Sequence, residues 1–104
     1  MSVLVVLCTC PLEVAPALAR QLVEARLAAC VNLLPQLQSI YRWQDQVQQE
    51  VETLLLIKTS TDRYPQLEQH LRQHHPYSVP EVLALPVVQG LDAYLDWVQA
   101  SVQD

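Results

Sequence analysis

The chain is 104 residues long, with a mass of 11.8 kDa, which is room for one domain over residues 1–104. Hydrophobic residues make up 51% and charged residues 16%, and six Lys and Arg stand against eleven Asp and Glu, for a formal net charge of −5. This excludes the basic stripe that displaces counterions from nucleic acid or holds an anionic membrane surface, and so little charge on so apolar a chain points to surface buried between copies.

Val3–Thr9 is a short apolar run rich in β-branched residues, the pattern of a central strand buried on both faces. It has no positive segment before it and no small-residue cleavage site after it, so it reads as a strand rather than an export signal. No apolar stretch nears the ~18–20 residues of a membrane span. From about Glu13 to Ala29, Leu18, Leu22, Ala25 and Ala29 recur at helical spacing, and Pro16 fits the first turn. Cys30–Trp43 reads as a long extended segment whose Pro35 restricts it to an edge or a bulge. Gln44-Asp45-Gln46 is the turn, and Val47–Thr59 the returning strand, alternating at first and wholly apolar over Leu54–Ile57.

Thr61-Asp62 is a candidate N-cap for a second helix, with Pro65 near its start. Tyr64, Leu67, Leu71 and His74 form its stripe, and Pro76 ends it. Glu81–Val88 is a further strand, with Pro86 marking an edge. Gly90, the only glycine, breaks the chain before a last helix striped by Leu91, Leu95, Val98 and Val102. The order β-α-β-β-α-β plus a C-terminal helix implies an α+β, ferredoxin-like sandwich with an antiparallel sheet ordered 4-1-3-2. Strands 2 and 4, which carry Pro35 and Pro86, then lie at the edges.

Strand direction places chemistry. The end of strand 1, with Cys8 and Cys10, lies beside the segment before strand 4, which holds His74 and His75. Cys30 lies toward the other end of the sheet. Three cysteines do not make a disulfide framework; they read as reduced thiols of a cytoplasmic protein, with no Cys8–Cys30 bridge. A thiolate with two imidazoles suits copper or zinc, and His70, one turn before His74, offers a third nitrogen. The alternative is that Cys8 is a small core residue and that the histidines complement a helix C-terminus. Cys8-Thr9-Cys10 also puts two thiols on one strand face. Tyr41-Arg42-Trp43 at the hairpin has the composition of an interface anchor. Glu50 and Glu52 share a strand face, as paired acid–base carboxylates or as an exposed half-strand do. No glycine-rich phosphate loop and no nucleophile motif is present, which leaves a small acyl-phosphate hydrolase on this sandwich without its loop.

The stretches LVEARLAACVNLLPQLQSIYRW (Leu22–Trp43), ETLLLIKTS (Glu52–Ser60), HPYSVPEVLALPV (His75–Val87) and YLDWV (Tyr94–Val98) together resemble the CutA family of divalent-cation-tolerance proteins, in order and over nearly the whole chain. The resemblance implies a ferredoxin-like fold, a homotrimer joined through long hairpins, a PII-like assembly and no enzymatic activity. It implies a metal site at Cys8, His74 and His75, with copper, or zinc or another divalent metal, as the ion. It also departs from the family in having Asp45 where the turn usually carries glycine, and in the extra thiol of Cys10. The expected function is therefore a homotrimeric metal-response protein. The rival is a regulatory trimer holding a small molecule in clefts between subunits, through residues such as Tyr41, Lys58, Tyr77 and Glu81.

Overall fold

Apolar runs and proline positions account for the sheet. The computed structural model describes residues 2–103; Met1 and Asp104 of the single domain expected over 1–104 lie outside the described residues. Strand β1 (Val3–Cys10) is flanked on both sides, by β3 (Gln46–Ser60) and by β4 (Leu83–Pro86), and β2 (Cys30–Trp43) pairs with the outer side of β3. The order is β2-β3-β1-β4, antiparallel throughout, as expected. Pro86 lies opposite Leu4 on the short edge strand. Pro35 lies in a bulge between Leu34 and Leu37, where Gln36 takes φ 62°.

One face of this sheet is covered by α1 (Ala15–Glu24) and α2 (Tyr64–His74). Alternation along β1 and β3 sends Leu4, Val6, Cys8, Cys10, Leu55 and Ile57 to that face, where they pack with Leu18 and Leu22 of α1 and Leu67 and Leu71 of α2. Val5, Leu7, Thr9, Glu52, Leu54 and Leu56 therefore point the other way. Thr59 Oγ1 donates to Leu27 O at 2.8 Å and fastens the α1–β2 connection to β3. A last helix, α3 (Asp92–Ser101), packs against β1 and β3 through Val98 and Val102. Its C-terminal carbonyls are taken by Arg63 Nε, 2.7 Å from Val102 O, and Arg26 Nη1, 3.4 Å from Ser101 O.

The helix limits differ from expectation for local reasons. Helix α1 stops at Glu24 rather than Ala29 because Arg26 turns left-handed at φ 59° and the N–H groups of Leu27 and Ala28 both return to Leu22 O. Ala25 is consequently exposed, while Leu27 and Ala28 enter the core. Helix α2 starts at Tyr64, with Arg63 at the cap and no side-chain cap from Thr61 or Asp62; Pro65 in the first turn defines the start. His74, expected on the buried stripe, is exposed. Strand β4 is confined to Leu83–Pro86, shorter than the expected Glu81–Val88, and Leu91 precedes α3 as an exposed residue.

The hairpin of β2 and β3 outruns everything beside it. Its ladder continues to Trp43↔Gln46, whereas β1 ends at Cys10↔Thr53. The turn is a two-residue loop, Gln44 and Asp45 at φ 50° and 64°. That is the pair of left-handed residues whose twist matches flanking strands. Gln46, expected in the turn, begins the strand.

Candidate functional site

The antiparallel sheet brings the end of β1 to the end of α2, as strand direction implied. His75 follows α2, is 8% exposed, and has both ring nitrogens engaged. The Tyr77 backbone N–H donates to Nδ1 at 3.1 Å. Nδ1 therefore carries the lone pair, and Nε2–H donates to Thr9 O at 2.8 Å. The imidazole is thus a clamp between β1 and the segment leading into β4.

Cys8 and Cys10 are both fully buried and face the helices. The Cys8 thiol donates to Thr9 O at 3.9 Å. Burial, then the charges of Cys10, Glu81 and Glu52, push its pKa up to about 12. Burial, then Glu52, raises Cys10 to about 11. Both are neutral thiols at pH 7, not the thiolates that ligate metal. His74 is on the surface, with Nδ1–H donating to His70 O at 2.9 Å. Its ring stacks on His70 with centroids 4.0 Å apart. The His70 pKa is lowered by burial and then by His74, and its Nε2 lies 3.1 Å from Gln21 Oε1.

Cys8, His74 and His75 are thus neighbours in the fold without converging as ligands. Among the described residues no three His, Cys, Asp or Glu side chains form a group that could hold a metal ion. Lone-pair accounting gives the reason: Cys8 keeps its proton, and the one lone pair of His75 is occupied by the Tyr77 N–H. As arranged, these three residues do not fit a chelated metal. The free imidazole nitrogen of this group is Nε2 of the exposed His74. Cys30 is a free thiol like the other two, paired across the ladder with Lys58, which bonds Asn32 Oδ1.

The other face of the sheet carries a second site. A cleft of about 950 Å³ opens at the root of the hairpin, lined by residues of β1, β2, β3 and the 77–81 segment. Glu52 lies in its wall and is only 7% exposed. The Tyr77 hydroxyl donates to Glu52 Oε2 at 2.8 Å, and the Tyr41 hydroxyl donates to Glu50 Oε1. Burial, followed by these carboxylates, raises the Tyr77 pKa. Of the residues expected to form a ligand cleft, Tyr41, Tyr77 and Glu81 line it. Lys58 does not; it sits with Asn32 at the opposite end. The burial of Glu52 is the feature sequence reading missed. Its available signal was the pairing of Glu50 and Glu52 on one strand face.

Residues 4–101 match the family described as CutA1 divalent ion tolerance protein. A divalent-cation tolerance protein CutA from Thermus thermophilus is 53% identical over 96 residues, covering 91% of this chain and 93% of that protein. Protein CutA from Mus musculus is 53% identical over 91 residues, 86% of this chain, which spans only 51% of the mouse protein. Among solved structures, the PII-like protein CutA from Nostoc sp. PCC 7120 in apo form superposes with a TM-score of 0.91 at 36% identity, covering 99% of this chain and 98% of that one. With the strand order, the hairpin and the sequence all agreeing, the chain belongs to the CutA1 divalent-ion-tolerance family.

Proposed function

We propose that this chain works as a non-catalytic homotrimer in the response to divalent metal ions, copper ahead of zinc. One observation carries the assembly. Beyond Leu37↔Glu52 the hairpin has no strand on either side, yet it exposes Ile40, Trp43, Val47 and Val51. A two-stranded ribbon is marginal alone, and open edges are covered in soluble proteins. Pairing of arms around a three-fold axis covers both edges and the apolar residues together.

Family membership supports the metal response, and the exposed imidazole of His74, with His70 beside it, is its first contact. Cys8 and His75, which the resemblance adds to the metal site, become available only if the imidazole clamp lets go of Thr9 and Tyr77. Light scattering at micromolar protein is expected to give about three chain masses; a stable monomer refutes the assembly. In copper titration calorimetry, His74→Ala is expected to weaken binding while Cys8→Ser leaves it unchanged. The reverse order refutes the surface contact and places the metal at the thiol.

A second reading has its own observation. The cleft at the root of the arm, with Tyr41, Tyr77 and Glu81 in its walls, suits a PII-like regulator that senses a small molecule.

A further inference from the structure

The end of the sheet away from the arm carries chemistry that neither the metal response nor the cleft uses. Cys30 and Lys58 lie directly opposite each other where β2 and β3 pair, and such cross-strand neighbours hold their Cβ atoms about 5 Å apart. Both side chains turn to one oxygen. The Cys30 thiol donates to Asn32 Oδ1 at 3.9 Å, and Lys58 Nζ donates to that same atom. Lys58 is the only lysine of the chain, and no ion pair among the described residues ties its ammonium group to a carboxylate. Of the three thiols, Cys8 and Cys10 are buried on the helix face, whereas Cys30 is only half-buried. Tyr94 of α3 stands nearby: burial, then the charge of Cys30, raise its hydroxyl pKa.

An accessible thiol is oxidised first to a sulfenic acid, whose sulfur then condenses with a neighbouring thiol or nitrogen. No second thiol shares this face of the sheet, and the amine opposite is Lys58. We propose that Cys30 and Lys58 are a peroxide-sensitive pair, which hydrogen peroxide joins by an intrachain sulfur–nitrogen bond. In the first step the Cys30 sulfur attacks one peroxide oxygen and the O–O bond breaks. The second oxygen leaves with the thiol proton as water; sulfur has lost two electrons and the peroxide has gained them. In the second step the Lys58 ammonium gives one proton to solvent, and its lone pair attacks the sulfenic sulfur. The N–S bond forms as the S–O bond breaks, and the departing hydroxide takes a further proton from nitrogen. One thiol, one amine and one peroxide thus give a sulfenamide and two waters. The product fastens the start of β2 to the end of β3 and removes the charge of the only lysine. The pair lies at the opposite end of the ladder from Leu37↔Glu52, where the arm begins, and the bond joins two atoms of one chain.

The test treats the full chain with a small excess of hydrogen peroxide, quenches with catalase, and digests with trypsin in the absence of reductant. The intact mass is expected to fall by two hydrogens, with a single chain length on a denaturing gel. Trypsin is expected to release residues 27–42 joined to residues 43–63, uncut after Lys58. Dithiothreitol is expected to restore the original mass and the cut. Lys58→Arg is expected to abolish the linkage and leave a Cys30 sulfenic acid that dimedone labels, and Cys30→Ser to leave the Lys58 cut intact. Wild type oxidised in concentrated urea tests whether the folded juxtaposition matters without any substitution, and no linkage is expected there. Sulfinic acid at Cys30 without linkage, a disulfide through Cys30, or the same product in Lys58→Arg overturns the proposal. So does equal linkage in urea, or a folded chain that peroxide leaves unchanged.

Discussion

The buried thiol of Cys8 makes a quantitative prediction about alkaline stability. Its pKa in the folded chain is about 12, against an ordinary thiol value of 9.0. A group whose pKa is raised by folding gives its full stability below the unfolded pKa and loses it as pH rises toward the folded one. The window is therefore about pH 9 to about pH 12. At about pH 10.5 the unfolded thiol lies some 1.5 units above its pKa while the folded thiol is still protonated. At 1.36 kcal/mol per unit, Cys8 alone then costs the fold about 2 kcal/mol relative to pH 7. Cys8→Ala removes that cost and adds a small cavity penalty that is the same at both pH values. Urea unfolding, followed by tryptophan fluorescence in reductant at fixed protein concentration, is run on both proteins at pH 7 and about pH 10.5. Wild type is expected to lose about 2 kcal/mol more than the variant. Equal losses refute the reasoning, and would mean that the Cys8 thiol ionises in the folded protein as readily as in water.

Two further predictions concern the hairpin and its root. Tyr77→Phe leaves Glu52 Oε2 without its donor, and a hydrogen bond to a charged group is worth about 2 kcal/mol; the urea midpoint is expected to fall accordingly, and an unchanged midpoint shows that solvent replaces the hydroxyl. Asp45→Gly relieves a left-handed residue at φ 64° and is expected to stabilise the fold by about 0.5–1 kcal/mol, read from the same midpoint, while Asp45→Val is expected to destabilise it.

What could be read without coordinates was what local chemistry determines. The order of elements implied the strand order, and Pro35 and Pro86, which cannot donate to a ladder, agreed with it by falling on the two edge strands. Strand direction then brought Cys8 and His75 into one neighbourhood. Their roles there were not legible, because residue type does not say which lone pair is already used: the Tyr77 N–H occupies Nδ1 of His75, and only geometry reveals it. The end of α1 was missed because no glycine announces it. Arg26 takes the left-handed position instead. Glu52 was hidden for a similar reason: a carboxylate in an alternating strand looks solvated, and its burial depends on Tyr77, 25 residues away.

The bulge at Gln36 has a consequence for how this hairpin can change length. Inside the sheet, β2 turns its even-numbered residues (Cys30, Asn32 and Leu34) toward the face shared with Leu54, Leu56 and Lys58. Past the bulge it turns the odd-numbered ones (Leu37, Ser39, Tyr41 and Trp43) to that same face, opposite Glu52, Glu50, Gln48 and Gln46. The extra residue at the bulge therefore works as a phase shifter. If the bulge is ironed out with every residue kept, the outer ladder slips by one: Ile40 takes the place of Tyr41 opposite Gln48, and Arg42 that of Trp43 opposite Gln46. The arm can thus gain or lose residues two at a time on each strand and keep its cleft. A change by one, unless the bulge absorbs it, takes both aromatic residues of β2 off the cleft face and sets an isoleucine and an arginine there, without a single substitution.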